Sequence, residues 1–75
     1  MKVDIASVYV QLLNEGTTCY RPAPFVQLGH DTVQLLAPPG YCPEDEEWEF
    51  VPGSVVRLAW KILSSGRVLV AAEEV

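Results

Sequence analysis

The chain is poor in basic charge: five Lys and Arg stand against ten Asp and Glu in 75 residues, a formal charge of −5. Affinity for a polyanion comes largely from lysine and arginine displacing condensed counterions. General nucleic-acid binding is therefore disfavoured, and basic or neutral partners are expected. Histidine occurs once, at His30. The only nucleophile–base pairing open to it is with Cys19, and nothing in the sequence brings the two together. No catalytic residue is assigned, and no enzyme is expected. Cysteine occurs twice, at Cys19 and Cys42, without a C-x-x-C spacing. His30, Asp31, Cys42 and the acids at 44–47 match neither a zinc spacing nor a calcium loop, which needs a glycine and alternating oxygens. No metal or cofactor is expected. A reducing cytosol would keep both cysteines as thiols, and a disulfide between them is the alternative. Also missing is any uninterrupted apolar run near the roughly 18 residues of a membrane helix. Lys2 and Asp4 lie close behind Met1, so a cytoplasmic location without membrane association is expected.

What the chain does have is apolar content. At 49% hydrophobic and 20% charged, it can collapse into one domain spanning 1–75. Folding a chain this short removes only about 60% of its surface from water. The core is thin, and such small domains often need reinforcement by a metal, a disulfide or oligomerisation.

Short extended segments separated by turn residues describe the pattern best. Over 6–13, Val8, Val10 and Leu12 alternate with Ser7, Tyr9 and Gln11, the two-residue period of a strand. The same stretch also places Ile5, Val8, Tyr9 and Leu12 at helical spacing, with Asp4 as a cap and Gly16 beyond the end. Stiff β-branched and aromatic side chains favour the strand. Asn14, Glu15 and Gly16 then read as a turn, with Gly16 in the left-handed region. A second segment covers 17–28, where Pro22 and Pro24 demand an edge or a bend. The third strand, 32–36, turns Val33 and Leu35 away from Gln34 and Leu36. Residues 37–47 form a loop of prolines, glycine and an acidic run. Past Pro52-Gly53 comes the clearest strand: Val56, Leu58, Trp60 and Ile62 face inward, and Arg57 and Lys61 outward. After a Ser64-Ser65-Gly66 hairpin loop, the last strand turns Val68, Val70 and Ala72 inward and Leu69 and Ala71 outward.

Five such strands predict an all-β fold, a small five-stranded barrel or rolled antiparallel sheet. The run Trp48-Glu49-Phe50-Val51-Pro52-Gly53-Ser54-Val55-Val56 resembles the aromatic, Pro-Gly turn and valine strand of small bacterial SH3-like barrels. Glu15-Gly16-Thr17 with Arg21-Pro22 is similar to short bacterial proteins of that shape. The resemblance implies an SH3-like barrel, a fold that serves many functions. The tyrosine cluster of proline-peptide-binding SH3 domains is absent.

Two surfaces are candidates for binding. The acidic run Glu44, Asp45, Glu46, flanked by Tyr41 and Trp48, would dock a basic partner, with Tyr20, Tyr41 and Trp48 lining one shallow groove. Solubility and edge protection are the plainer role of such acids. The alternative surface is a cluster of Arg57, Lys61 and Arg67 that would contact phosphates. The expected function is a non-enzymatic interaction or regulatory module that binds a protein partner or itself. Nucleic-acid association is the second choice.

Overall fold

Valine, tyrosine and leucine alternating with polar residues favour a pleated surface over a helix, and every described element is extended. The computed structural model describes residues 5–64 and 66–75. It contains β1 (Val8–Leu13), β2 (Cys19–Ala23), β3 (Phe25–Gln27), β4 (Thr32–Leu35), β5 (Glu47–Trp48), β6 (Val55–Leu63) and β7 (Gly66–Glu74). Among the described residues there is no helix. The cap expected at Asp4 and Ser65 of the hairpin loop lie outside the described residues.

The helix–strand ambiguity of the first segment is resolved as strand. Val8 and Val10 are buried while Tyr9 and Gln11 are half-buried. The strand pairs antiparallel with β2, from Val8 opposite Ala23 to Leu12 opposite Cys19, and parallel with β7 at Tyr9 and Val70. Its turn differs from expectation. Asn14, not Gly16, takes the positive φ, at 61°, a conformation asparagine tolerates, and its Nδ2 donates to Glu47 Oε1 at 2.7 Å.

Pro24 divides the second segment into β2 and β3. Proline has no N–H to give a ladder, and the Pro24 carbonyl instead accepts from Leu36 N at 2.9 Å. The two halves part company, β2 to β1 and β3 to β4. The strand order is β2-β1-β7-β6-β4-β3, with β5 attached to β1. The two ends of that order are thus separated in the chain by Pro24 alone. Among the described residues seven strands stand where five were expected, because Pro24 splits one and the two-residue β5 rises out of the acidic loop.

Val8, Val10, Val33, Leu35 and Val56 are fully buried, and Ala23, Trp48, Leu58 and Ala71 complete the cluster. Burying each large side chain is worth about 1.5–3 kcal/mol. The third strand behaves as expected, with Val33 and Leu35 inside. Gly53, at φ 97°, closes the Pro52-Gly53 turn, with Ser54 N donating to Val51 O at 3.1 Å.

Trp60, expected inside, lies outside, and Trp48, expected either to close one end of the barrel or to be part-exposed, is buried. Trp48 is 2% exposed and Trp60 is 56% exposed. The period-two pattern of β6 is present, yet only Val56 and Leu58 reach the core. Trp60 and Ile62 share their face but lie past the last residue of β4 paired to β6, which is Thr32 opposite Arg57. The last strand is also re-phased. Arg57 lies opposite Glu73 but Leu58 opposite Ala71, which leaves Ala72 over as a bulge. Ala71 therefore faces the core and Ala72 is exposed, the reverse of expectation. Leu69, expected outside, packs against the core edge. Val70 is buried on the opposite face, beside Tyr9 and Ala59.

Candidate functional site

Of the acidic run only Glu46 is half-buried and drawn into the fold, while Glu44, Asp45 and Glu47 are exposed. Asp45 N and Glu46 N both donate to Cys42 O, at 3.0 and 3.3 Å, which winds 42–46 into a turn. Glu46 Oε1 accepts from Trp48 Nε1 at 2.8 Å and lies 3.0 Å from Arg21 Nε. Glu47 enters β5 opposite Leu13 and accepts from Asn14. Glu44 and Asp45 remain exposed.

The groove expected from Tyr20, Tyr41 and Trp48 does not form. Tyr41 and Trp48 meet edge to face, ring centroids 5.2 Å apart at 70°. Both pack with the core cluster, so Trp48 offers no face to a partner. Tyr20 lies opposite Gln11 on the other side of the sheet from Arg21 and Val10. There it meets Lys61, whose Nζ is 5.2 Å from the ring centroid.

The expected basic cluster separates as well. Arg57 bonds Glu73 through a terminal guanidinium nitrogen and has Asp31 3.9 Å from its Nε. Lys61 pairs with Val68, and Arg67 with Ile62. Directly opposed residues share a face of an antiparallel pair, so Lys61 and Arg67 leave the ribbon on opposite sides. Arg67 lies over the Trp60 ring at 4.4 Å.

These placements reveal a feature that sequence reading missed. The far half of the β6–β7 ribbon, from Ala59 to Leu63 and back from Gly66 to Leu69, extends past β4 as a two-stranded arm. On one face it carries Trp60 (56% exposed) and Ile62 (81%). A shallow groove between this arm and the start of β1 is lined by Tyr9, Trp60, Arg67 and Leu69 among others. Residues 58–72 hold Lys61 and Arg67 and no acid, a local charge of +2; the remaining three bases and ten acids leave −7 on the rest of the chain. One signal was available in the sequence: the apolar positions of the runs at 56–62 and 67–72 outnumber the partners that the short run at 32–36 can supply.

Cys19 and Cys42 are free and half-buried, and Cys19 Sγ lies 3.7 Å from Thr17 Oγ1. The His30 side chain is 84% exposed, with Nε2 3.8 Å from Asp31. Among the described residues no group of three or more His, Cys, Asp and Glu is placed to hold a metal ion. No protein-family model, no curated protein and no solved structure matches this chain.

Proposed function

We propose that the chain is a non-enzymatic interaction module that binds another protein through the β6–β7 arm, carried on an SH3-like rolled barrel. The barrel reading is supported by the strand order, whose two ends are halves of one segment kinked at Pro24. The observation that carries the functional reading is the exposure of Trp60 and Ile62 side by side on an arm without acidic residues. Tryptophan and arginine in contact, with aliphatic neighbours, are the composition of an interface centre. The acidic turn supports the reading by contrast, since Glu46 is engaged by Trp48 and Arg21 within the fold.

A second reading, nucleic-acid association through Arg57, Lys61 and Arg67, draws support from the acid-free arm alone. Arg57 is balanced by Glu73 and Asp31, and the other two cations diverge.

Affinity capture from an extract of the source cells tests the reading with two variants. Ile62→Glu should lose the proteins that the wild-type chain retains, and a Glu44→Gln, Asp45→Asn double variant should keep them. A capture profile indifferent to Ile62→Glu would overturn the arm as the binding surface.

A further inference from the structure

We infer that the free edge of β6 takes up an extended segment of a partner protein in which apolar residues alternate with carboxylates, adding a strand to the sheet. The inference rests on the arm being the binding surface and goes on to specify how it binds and what.

Backbone direction places the edge. Leu58 N donates to Asp31 O at 2.7 Å, toward β4. In an antiparallel ladder the N–H and C=O of one residue point to the same neighbour, and alternate residues share that direction. Trp60 and Ile62 therefore aim their main-chain groups to the β4 side, where the pairing with β4 has already ended at Arg57. Ala59, Lys61 and Leu63 aim theirs at β7, opposite Val70, Val68 and Gly66. Among the described residues, no bond from the Trp60 or Ile62 main chain toward the β4 side is present. An unpaired row of N–H and C=O groups is the template that strand addition uses.

The side chains flanking this edge specify the occupant. An added strand sets alternate residues beside the two faces of β6. On one face its neighbours are Trp60 and Ile62, which call for apolar side chains. On the other the neighbour is Lys61, exposed and loosely held over Tyr20 at 5.2 Å, which calls for a carboxylate. A second copy of β6 fits less well, because antiparallel pairing about Lys61 would set lysine against lysine, and like charges directly opposite destabilise a pair. Charge asymmetry bears on orientation and not on long-range capture: the chain's net −5 repels an acidic segment overall, and the +2 arm against a −7 remainder is the end where that repulsion gives way to local attraction.

Amide chemical-shift titration of the intact chain with capped Val-Glu-Val-Glu-Val-Glu tests this. The expected result is saturable perturbation of the Trp60 and Ile62 amides, and binding weaker by about fivefold or more when lysine replaces glutamate. N-methylation of the peptide backbone at alternate residues should weaken binding about tenfold in one phase and leave it nearly unchanged in the other, because only one set of amides faces the edge. Equal affinity for the lysine peptide, or indifference to both N-methylated forms, would overturn the inference. So would amide shifts at Trp60 and Ile62 that follow protein concentration without peptide, which would make a second copy the occupant. Perturbation by oligouridine but not by peptide would overturn it in favour of nucleic acid. If Ile62→Glu abolishes protein capture while these peptides fail to bind, strand addition falls and the arm's role stands.

Discussion

Replacing each tryptophan by phenylalanine separates the core from the arm. Trp48 is 2% exposed, and its indole N–H donates to Glu46 Oε1 at 2.8 Å. Phenylalanine keeps a ring against Tyr41 but deletes that donor and leaves space where the larger ring stood. A hydrogen bond to a charged acceptor is worth about 1.5–3 kcal/mol. Arg21 still neutralises Glu46, which limits the loss, while incomplete filling adds to it. The net destabilisation is about 2–3 kcal/mol. A 75-residue domain has about 4–11 kcal/mol to lose, so Tm should fall by roughly 10–20 °C at about 4–8 °C per kcal/mol. Trp60→Phe at a 56% exposed position retains a ring for Arg67 and should cost no more than about 0.5 kcal/mol. Each variant keeps one tryptophan, so urea unfolding followed by circular dichroism pairs with emission of the survivor. Trp48 alone should emit at short wavelength and resist acrylamide; Trp60 alone should emit as in water and be quenched freely. Greater destabilisation by Trp60→Phe, or the opposite order of emission and quenching, would refute the burial described above.

Three further outcomes follow from local geometry. Gly53→Ala should lower stability by about 1–2 kcal/mol in urea denaturation, because φ is 97° and nothing lies within 4 Å of an added Cβ, so the whole cost is backbone strain. Arg57→Ala should cost about 1 kcal/mol or less at low salt, its partners Glu73 and Asp31 being 58% and 40% exposed at the side chain, and the deficit should shrink in 1 M NaCl. A thiol reagent applied to unfolded, unreduced chain should titrate both Cys19 and Cys42, free in the fold; a titre near zero would mean that they are bridged.

The strands were legible where burial is two-sided in its demand. Val8 and Val10 in β1, Val33 and Leu35 in β4, and Val56 and Leu58 in β6 each alternate with polar residues and sit inside. Pro24 announced a bend, and the bend is there. What the pattern could not convey is extent. Period two marks a face, and says nothing of how far a neighbouring strand covers it. Trp60 and Ile62 lie in perfect phase with Leu58 and still meet solvent, because β4 has only four residues. The bulge at Ala72 was equally invisible, since alanine and valine satisfy either face, and it moved Ala71 into the core. The acidic run is opaque for a similar reason: its carboxylates look alike in sequence, and only the fold shows Glu46 taken by Trp48 and Arg21 while Glu44, Asp45 and Glu47 stay exposed.

Those partners bear on why the acids and the arm are separate features. Tyr41 and Trp48 close the core beside β1, and Trp48 can be buried only if its N–H is satisfied, since a buried unpaired donor costs about 1–3 kcal/mol. Glu46 meets that need, and Arg21 offsets the charge that Glu46 brings with it. Tryptophan, glutamate and arginine thus form one chain of obligations, which commits Glu46 to stability and leaves Glu44, Asp45 and Glu47 exposed. The arm carries no such chain. Arg67 covers one face of Trp60 and Lys61 reaches across to Tyr20, contacts worth about 0.5–1 kcal/mol each when exposed, too little to account for keeping an indole and an isoleucine in water. Nothing in the fold's own stability asks for Ile62 at 81% exposure, so Ile62→Thr should leave Tm within about 2 °C of the parent. A large fall in Tm would make the arm a structural element and remove the ground for assigning it to binding.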